Sequence, residues 1–185
     1  MRIISGKYKG KKIDFLKNSI TRPLKDSVRE NIFNILQHSN KFNLQIEKSK
    51  ILDLYSGVGS FGLECLSRGA KQVTFVEENE LALEKLSKNI FNFSISQKVE
   101  IKKTKISDFI TNNKKKFQIF FFDPPFKDQN FLIILKMIKE KKIYENNHIL
   151  IIHREKNSSQ NFNKYFNTEI MRKYGRSEIF FGTFN

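Results

Sequence analysis

From Lys50 onward, the chain alternates between short apolar runs that are typical of strands and amphipathic stretches that are typical of helices. Such alternation predicts a mostly parallel sheet with helices on both of its faces. Two consecutive strand-like runs around Gly175 predict an antiparallel hairpin at one end of the sheet. We therefore predict an α/β fold, in which seven mostly parallel strands form one sheet with an antiparallel C-terminal strand.

The apolar periodicity gives the bounds of these elements. Strands are predicted over residues 51–55, 72–77, 99–103, 117–122, 148–153, 168–173 and 178–184. Helices are predicted over residues 60–68, 80–91 and 131–141, with a weaker helix near Asp108.

The segment before Lys50 has a different pattern. Residues 2–15 contain two short alternating apolar pieces around Gly6 and Gly10, which predict a β-hairpin. Apolar residues at helical spacing predict a helix over about 24–38, with Pro23 near its start, where a missing N–H costs nothing. We expect one domain over residues 1–185, with residues 1–20 as a hairpin extension.

The composition bounds the class of protein. The formal net charge of +15 predicts a nucleic-acid partner, although the bias toward Lys, Asn, Ile and Phe also fits an effect of gene base composition. Cys65 is the only cysteine, which excludes intramolecular disulfides and zinc sites built on cysteine pairs, and we expect no metal site. Without an apolar run of membrane-spanning length or a signal-peptide pattern, we expect a cytoplasmic protein.

A glycine-rich loop follows the first of the alternating strands. Residues 57–62 match the pattern G-x-G-x-x-G between a strand and a helix, and Glu77 lies 20 residues after Gly57 at the end of the next strand. This arrangement predicts a cofactor that contains a nucleoside, with Glu77 on the ribose hydroxyls. Asp53 would repel a pyrophosphate and would suit an ammonium group, which favours S-adenosylmethionine over NAD. A helix cap for Asp53 and a solvated strand end for Glu77 are the alternatives.

The tetrapeptide Asp123-Pro124-Pro125-Phe126 follows the buried strand at 117–122. It offers acceptor oxygens, two rigid residues without N–H groups and a flat aromatic ring, which suit a planar base that carries an exocyclic amine. An ordinary strand-to-loop turn is the alternative. Because ligands bind at the carboxyl ends of neighbouring parallel strands, this tetrapeptide and the glycine loop are expected to face each other.

Taken together, these motifs resemble those of amino-methyltransferases that act on adenine N6, cytosine N4, guanine N2 or a glutamine amide. Nearly end to end, the chain is similar to the bacterial 16S ribosomal RNA guanine-N2 methyltransferase family (the RsmD family). The similarity covers residues 1–10, 21–23, 28–30, 33–34, 53–70, 122–126 and 173–175. Thr21-Arg22-Pro23 and Lys173-Tyr174-Gly175 single out this family, which usually has Tyr where this chain has Phe126.

The resemblance implies a Rossmann-like class I methyltransferase fold, S-adenosylmethionine as cofactor and methyl transfer to guanine N2. The implied partner is 16S rRNA or an assembling 30S subunit, with a monomeric enzyme and no membrane association. The expected catalytic residues are Asp123, Pro124, Pro125 and Phe126. The expected cofactor-binding residues are Asp53, Tyr55, Ser56, Gly57, Gly59, Glu77, Glu78, Lys105, Ile106 and Asp123. Lys105 and Ile106 take the position of a family adenine contact, Asp or Asn followed by Ala, that they do not match. Thr104 with Lys105, or Asp108 in a shifted alignment, are the alternatives for this contact.

Basic residues in the N-terminal region are expected to contact RNA phosphates. They are Arg2, Lys7, Lys9, Lys11, Lys12, Arg22 and Arg29. A merely solvated basic face is the alternative, and Arg22 and Arg29 could instead pair with Glu30.

Three other functions remain open at this point. A DNA adenine or cytosine amino-methyltransferase shares the motifs but usually carries extra sequence for target recognition. An NAD-dependent oxidoreductase shares the glycine loop, and a non-catalytic RNA-binding module shares the basic charge.

Overall fold

The structure is a computed structural model that describes residues 1–16, 24–125, 128, 130–156 and 164–184. Seven strands lie within these residues: β1 (Lys50–Leu54), β2 (Gln72–Glu77), β3 (Val99–Lys103), β4 (Phe117–Phe122), β5 (Tyr144–Glu155), β6 (Phe166–Tyr174) and β7 (Ser177–Phe184). They form one sheet in the order β3-β2-β1-β4-β5-β7-β6. Strands β1 to β5 are parallel, and β7 is antiparallel to both β5 and β6. The predicted fold is confirmed.

Five α-helices lie in the same described ranges: α1 (Asp26–His38), α2 (Ser60–Ser67), α3 (Glu80–Phe93), α4 (Ile106–Asn112) and α5 (Phe131–Lys141). Each was expected, and α4 is the weak helix near Asp108. Among the described residues, no helix combines the length and apolarity that crossing a membrane requires.

The apolar strands divide between two cores. Along β4, Ile119 and Phe121 belong to the core beneath α1, α2 and α3, whereas Phe120 and Phe122 belong to the core beneath α4 and α5. The division follows from the alternation of side chains along a strand, and it explains why β4 is apolar at nearly every position. Stacked rings link the elements of the first core, since Phe61 lies 5.2 Å from Phe33 and 4.1 Å from Phe121 between ring centroids.

Strand β5 is longer than predicted, because it begins at Tyr144 rather than at His148. The polar residues 145–147 do not show the pattern of a strand. They lie where the pairing with β4 shifts register, between the pairs Phe117–Tyr144 and Ile119–Ile149. Such an irregularity leaves side chains outside the regular alternation, so the hydrophobic pattern does not indicate it.

The N-terminal hairpin is present in a reduced form. Among the described residues of the hairpin, one isolated antiparallel bridge joins Arg2 to Lys12. The Ile3 amide donates to the Lys11 carbonyl, and the Ile13 amide donates to the Met1 carbonyl. Ile3 and Ile13 are buried in the first core, which attaches the hairpin to the sheet domain. Residues 17–20 of the expected extension lie outside the described residues.

The buried carboxylate of Glu64, on α2, bonds the hairpin to the domain. It accepts hydrogen bonds from the Ile4 amide at 2.8 Å, from the Ser5 amide at 2.9 Å and from Arg68 Nε at 2.9 Å. Arg29 Nε lies 3.8 Å from the same carboxylate. The charge of Glu64 is therefore buried but compensated by two guanidinium groups.

The expectation that Arg29 contacts RNA is wrong. Its side chain is fully buried on α1, where Nη2 bonds Asp26 Oδ1 at 2.9 Å and the Arg2 carbonyl oxygen. Burial lowers the pKa of Arg29, and the charges of Asp26 and Glu64 oppose that shift. Arg29 lies on the same face of α1 as Val28, Ile32 and Phe33, so the helical periodicity already placed it toward the core.

We predict that Glu64→Gln lowers the free energy of unfolding by about 3–5 kcal/mol, because it removes a buried charge that compensates Arg68 and Arg29 and places an amide donor where Glu64 accepts hydrogen bonds. Denaturant unfolding followed by circular dichroism measures the change. As a control, Glu80→Gln removes a carboxylate from an exposed pair with Lys103 and should change the free energy of unfolding little. Equal effects of the two substitutions would contradict the structural role given to Glu64.

Candidate active site

The pairing of β1 with β4 places two functional loops side by side. Asp53 pairs with Phe121 and Leu54 with Phe122, so both strands end at the same level of the sheet. The glycine loop leaves β1 at this edge, and the Asp123 loop leaves β4 beside it. The expected neighbourhood of these two loops is confirmed.

Two glycines shape the first loop. Gly57 and Gly59 have φ angles of 53° and 83°, in the left-handed region that favours glycine. A Cβ on Gly59 would lie 2.4 Å from Leu86 Cδ1, so this glycine is required by packing against α3. A Cβ on Gly57 would meet nothing within 4 Å. Gly57 therefore borders open space, where a ligand can approach the backbone closely.

Glu77 binds the glycine loop directly. Its Oε2 accepts a hydrogen bond from the Gly57 amide at 2.7 Å, and its Oε1 accepts from the Glu78 and Asn79 amides at 3.0 and 2.9 Å. An ionised carboxylate has about four acceptor positions, so about one remains for a ligand hydroxyl. The sequence predicted a ribose contact for Glu77 and did not predict that this side chain also holds the loop.

Asp53 is almost completely buried beneath the loop, with 1% of its surface exposed. Its Oδ2 accepts from the Gly62 amide at 3.0 Å, so it caps the amino end of α2, which was one of the two roles considered. Burial raises the pKa of Asp53 well above its ordinary value, and the charges of Asp123 and Glu77 raise it further. The ionised form is therefore costly unless a cation approaches.

The loop contains polar atoms that fit a cofactor. Ser56 Oγ is buried and has no hydrogen-bond partner among the described residues. Among the described residues, the side chain of Asp53 accepts from the Gly62 amide through Oδ2. Its other oxygen, Oδ1, can therefore accept a hydrogen bond from a ligand. These acceptor groups and the open space at Gly57 suit a cationic ligand that carries hydroxyl groups. S-Adenosylmethionine is such a ligand.

Tyr55 connects the two loops. It has a φ of 57° immediately after β1, and its hydroxyl donates to Asp128 Oδ2 at 2.8 Å. Burial and the bond to Asp128 raise the pKa of Tyr55, so its hydroxyl stays protonated and remains a donor. The Asp128 amide in turn donates to the Pro125 carbonyl at 2.8 Å. Tyr55 thus supports the Asp123 loop, a contact that its expected role in cofactor binding did not include.

Within the Asp123 loop, Pro124 is buried, Pro125 is exposed and Asp123 is partly exposed. The expected stacking residue, Phe126, lies outside the described residues. The carboxylate of Asp123 is therefore a partly exposed side-chain group through which this loop can reach an acceptor molecule.

Two consecutive residues of β5, which the sequence did not mark as functional, hold this loop. His153 Nδ1 lies 2.7 Å from Asp123 Oδ1, and Arg154 Nη1 donates to the Pro125 carbonyl at 3.4 Å. The sequence did contain a signal. His153 and Asp123 each end an apolar run, and β4 and β5 are parallel neighbours, so their ends meet at one edge.

The remaining expected cofactor residues flank this edge. Glu78 directly follows β2 and is exposed. Lys105 is exposed where β3 leads into α4, and Ile106 is half-buried and packs against the second core. These positions are at the carboxyl ends of the strands, on the side where an adenine beyond Glu77 would lie.

The basic residues predicted to contact RNA have different locations. Arg2, Lys7, Lys9, Lys11 and Lys12 are exposed, whereas Arg22 lies outside the described residues. The Lys7 amide donates to the carbonyl of Ser67, at the carboxyl end of α2. Because α2 has 8 residues, the hairpin tip lies roughly 12 Å along the helix from the glycine loop. The lysines of the tip are thus remote from Asp123.

A glycine loop beside the Asp123 loop, in a sheet of this strand order, is the arrangement that indicates the class of protein. It is a class I methyltransferase, a class that takes its methyl group from S-adenosylmethionine. Residues 1–183 match the model of the family described as "Conserved hypothetical protein 95", and the chain belongs to that family.

Similar proteins agree with this assignment. The chain is 31% identical over 155 residues to "Ribosomal RNA small subunit methyltransferase D" of Buchnera aphidicola subsp. Baizongia pistaciae, covering 84% of this chain and 76% of the relative. The solved structure of yhhF from Escherichia coli superposes with a TM-score of 0.85 at 22% identity, over 100% of this chain and 98% of that chain. The ribosomal protein L11 methylase of Lactobacillus delbrueckii subsp. bulgaricus superposes with a TM-score of 0.67 at 12% identity, over 83% and 76% of the two chains. The predicted family and cofactor are confirmed.

We predict that Asp53→Asn stabilises the protein by about 0.5–2 kcal/mol at pH 7, because it removes a buried charge and keeps the oxygen that accepts from Gly62. An unfolded Asp ionises near 3.8, whereas buried Asp53 ionises only at higher pH. The stability of the natural protein should therefore fall as pH rises from about 4 toward the pKa of folded Asp53.

Thermal unfolding of both proteins between pH 4 and pH 7 measures this difference. The stabilisation by Asp53→Asn should vanish at the acid end of the range. Asp108→Asn, on the exposed face of α4, is the matched control and should change little at any pH. A gain that is independent of pH would contradict the assignment to the charge of Asp53.

Proposed function

We propose that this chain transfers a methyl group from S-adenosylmethionine to the exocyclic N2 of a guanine in 16S ribosomal RNA. The observation that carries the proposal is the partly exposed carboxylate of Asp123, on the strand next to the glycine loop. The similarity to relatives named ribosomal RNA small subunit methyltransferase D supports small-subunit rRNA as the acceptor. The resemblance of the family-specific motifs at residues 21–23 and 173–175 supports guanine N2 as the target atom.

The glycine loop and the strand ends around it hold the cofactor in this proposal. Asp53 faces the ammonium group, the backbone at Ser56, Gly57 and Gly59 borders the ligand, and Glu77 accepts from a ribose hydroxyl. Tyr55 supports the same loop through Asp128. Glu78, Lys105 and Ile106 flank the adenine at the ends of β2 and β3.

The chemistry requires orientation of a weak nucleophile. The lone pair of a guanine N2 amine is delocalised into the ring, so the nitrogen must become more pyramidal before it can react. Asp123 and the carbonyl of Pro124 each accept one of the two amine hydrogens, which favours that geometry in the transition state. Orienting two reactants in this way can lower a barrier by roughly 7–11 kcal/mol.

When bound, S-adenosylmethionine would supply an electrophilic sulfonium methyl group for the amine nitrogen, with S-adenosylhomocysteine as the leaving group. The methylated nitrogen is then cationic and acidic. It releases a proton to Asp123 or to water, so Asp123 need not be a strong base. Pro125 keeps the loop rigid, and Phe126 stacks on the target base. The base must first leave its own stack in the RNA, and this unstacking costs a few kcal/mol.

The basic surface supplies affinity for the RNA. The exposed residues Arg2, Lys7, Lys9, Lys11 and Lys12 neutralise phosphates, and Arg22 is proposed to do the same. Because the hairpin tip is remote from Asp123, it is suited to a part of the RNA distant from the target base. We further propose that the enzyme acts as a monomer in the cytoplasm, on 16S rRNA or on an assembling 30S subunit.

We predict that Asp123→Ala reduces methyl transfer to small-subunit particles by about 100-fold or more, because the amine loses its acceptor. Retention of RNA on a filter should be unchanged. Asp123→Asn keeps an acceptor oxygen and should retain more activity than Asp123→Ala, and Glu169→Ala, at an exposed position of β6, is the control. Transfer of labelled methyl from S-adenosylmethionine measures the rates.

The same assay includes duplex DNA as an acceptor, since DNA adenine and cytosine amino-methyltransferases share the Asp-Pro-Pro-aromatic motif. Label in the rRNA alone supports the proposal. Label in DNA alone would refute it, and full activity of Asp123→Ala would remove the role of Asp123.

We also predict that Asp53→Asn weakens binding of S-adenosylhomocysteine by about 10-fold or more, because a charged hydrogen bond contributes about 1.5–3 kcal/mol. Isothermal titration calorimetry measures the affinity, with NADH titrated in parallel. Binding of NADH without binding of S-adenosylhomocysteine would favour an oxidoreductase and would falsify the cofactor assignment.

A further inference from the structure

The imidazole of His153 directly contacts the residue proposed to meet the acceptor amine. The register of β4 with β5 ends at the pair Phe122–Ile152, so Asp123 and His153 are the next residues on the two strands. His153 Nδ1 lies 2.7 Å from Asp123 Oδ1. The pairing of β4 with β5 thus brings these two side chains together.

The two partners differ in exposure. The side chain of His153 is 8% exposed, whereas that of Asp123 is 25% exposed. An acceptor molecule can therefore reach the carboxylate and cannot readily reach the imidazole. His153 can therefore influence the substrate by positioning Asp123, and it does not contact the substrate itself.

The chemistry of the contact fixes its direction. An ionised carboxylate only accepts hydrogen bonds, so His153 Nδ1 carries the proton and donates to Oδ1 of Asp123. This bond restricts rotation of the carboxyl group and leaves the second oxygen, Oδ2, as an acceptor for another donor. A carboxylate that must accept from one amine hydrogen in a defined direction benefits from such a restriction.

Arg154, the next residue on β5, fixes the same loop at a second point. Its Nη1 donates to the Pro125 carbonyl at 3.4 Å, and its guanidinium carbon lies 4.5 Å from the ring centroid of Phe131 on α5. Arg154 is 1% exposed. Two adjacent residues of one strand therefore bond the first and third residues of the Asp123-Pro124-Pro125 segment.

We infer that His153 is a positioning residue for methyl transfer, which orients the Asp123 carboxylate toward the acceptor amine by donating a hydrogen bond from Nδ1. The inference rests on the proposed function, in which Asp123 accepts a hydrogen of that amine. It predicts that the reaction requires an N–H donor at the position of Nδ1, next to Asp123 Oδ1, and does not require an imidazole ring.

Three substitutions of His153 test the inference. Asparagine places an amide N–H near the position of Nδ1, glutamine places one near Nε2, and leucine has no donor. His38→Asn, at the exposed end of α1, is the matched control for loss of a histidine. Circular dichroism and thermal unfolding verify that each variant is folded. Steady-state methyl transfer to small-subunit particles gives kcat and the KM for S-adenosylmethionine.

We expect His153→Leu to lower kcat by about 100-fold, with the KM for S-adenosylmethionine within about twofold of the natural enzyme. His153→Asn should restore kcat to within about fivefold, whereas His153→Gln should remain close to the leucine variant. If leucine does not fold, the comparison of asparagine with glutamine still decides. A leucine variant with nearly full kcat, or an asparagine variant no better than glutamine, would overturn the inference.

Nucleoside analysis of the labelled product separates this inference from the proposed function. Label in N6-methyladenosine or N4-methylcytidine would refute guanine N2 as the acceptor, while the order of the His153 variants would still decide the role of His153. An enzyme that transfers no methyl group to any of these acceptors would refute both.

Discussion

The parallel pairing of β1 with β4 is the contact on which the site depends. It sets the ends of both strands at one level, so that the glycine loop and Asp123 leave the sheet side by side. Both strands are buried on two faces, and a slip of one residue would exchange the side chains of the two cores. The packing of the whole sheet thus fixes the position of the Asp123 carboxylate relative to the glycine loop.

The molecule is basic as a whole, but the functional edge of its sheet is acidic. The chain has a net charge of +15, yet Asp53, Glu77 and Asp123 gather carboxylates at the functional edge of the sheet. Because these carboxylates repel one another and Asp53 is buried, a bound cation would stabilise their ionised forms. S-Adenosylmethionine carries two cationic groups, a sulfonium and an ammonium. The basic surface outside the edge is favourable for a polyanion. One chain can therefore attract a cationic cofactor and an RNA to different places.

Burial patterns in the sequence predicted most of the fold. The bounds of β2, β3, β4 and α5 agree with the structure, because each is a regular apolar repeat between polar residues. The start of β5 could not be predicted, because its polar residues 145–147 lie at a register shift. The neighbourhood of the glycine loop and Asp123 followed from the rule that parallel strands place their carboxyl ends at one edge.

The errors concern charged and polar residues with buried partners. Arg29 was expected on the RNA surface, and its true environment depends on Glu64, which is 35 positions away in the sequence. His153 was passed over because a single histidine has no local pattern, and its partner Asp123 lies on a neighbouring strand. The pair of His153 with Asp123 becomes visible only when the sheet order and register are known, whereas the pair of Arg29 with Glu64 depends on the packing of α1 against α2. They are also the contacts that hold the hairpin and the acceptor loop in place.

The central claim is that this chain methylates guanine N2 in small-subunit ribosomal RNA. Mass spectrometry of rRNA nucleosides from cells with and without the gene tests it most directly. We predict that N2-methylguanosine in 16S rRNA decreases when the gene is absent and returns when the gene is restored, but not when the restored gene carries Asp123→Ala. An unchanged amount of N2-methylguanosine in 16S rRNA without the gene would contradict the account.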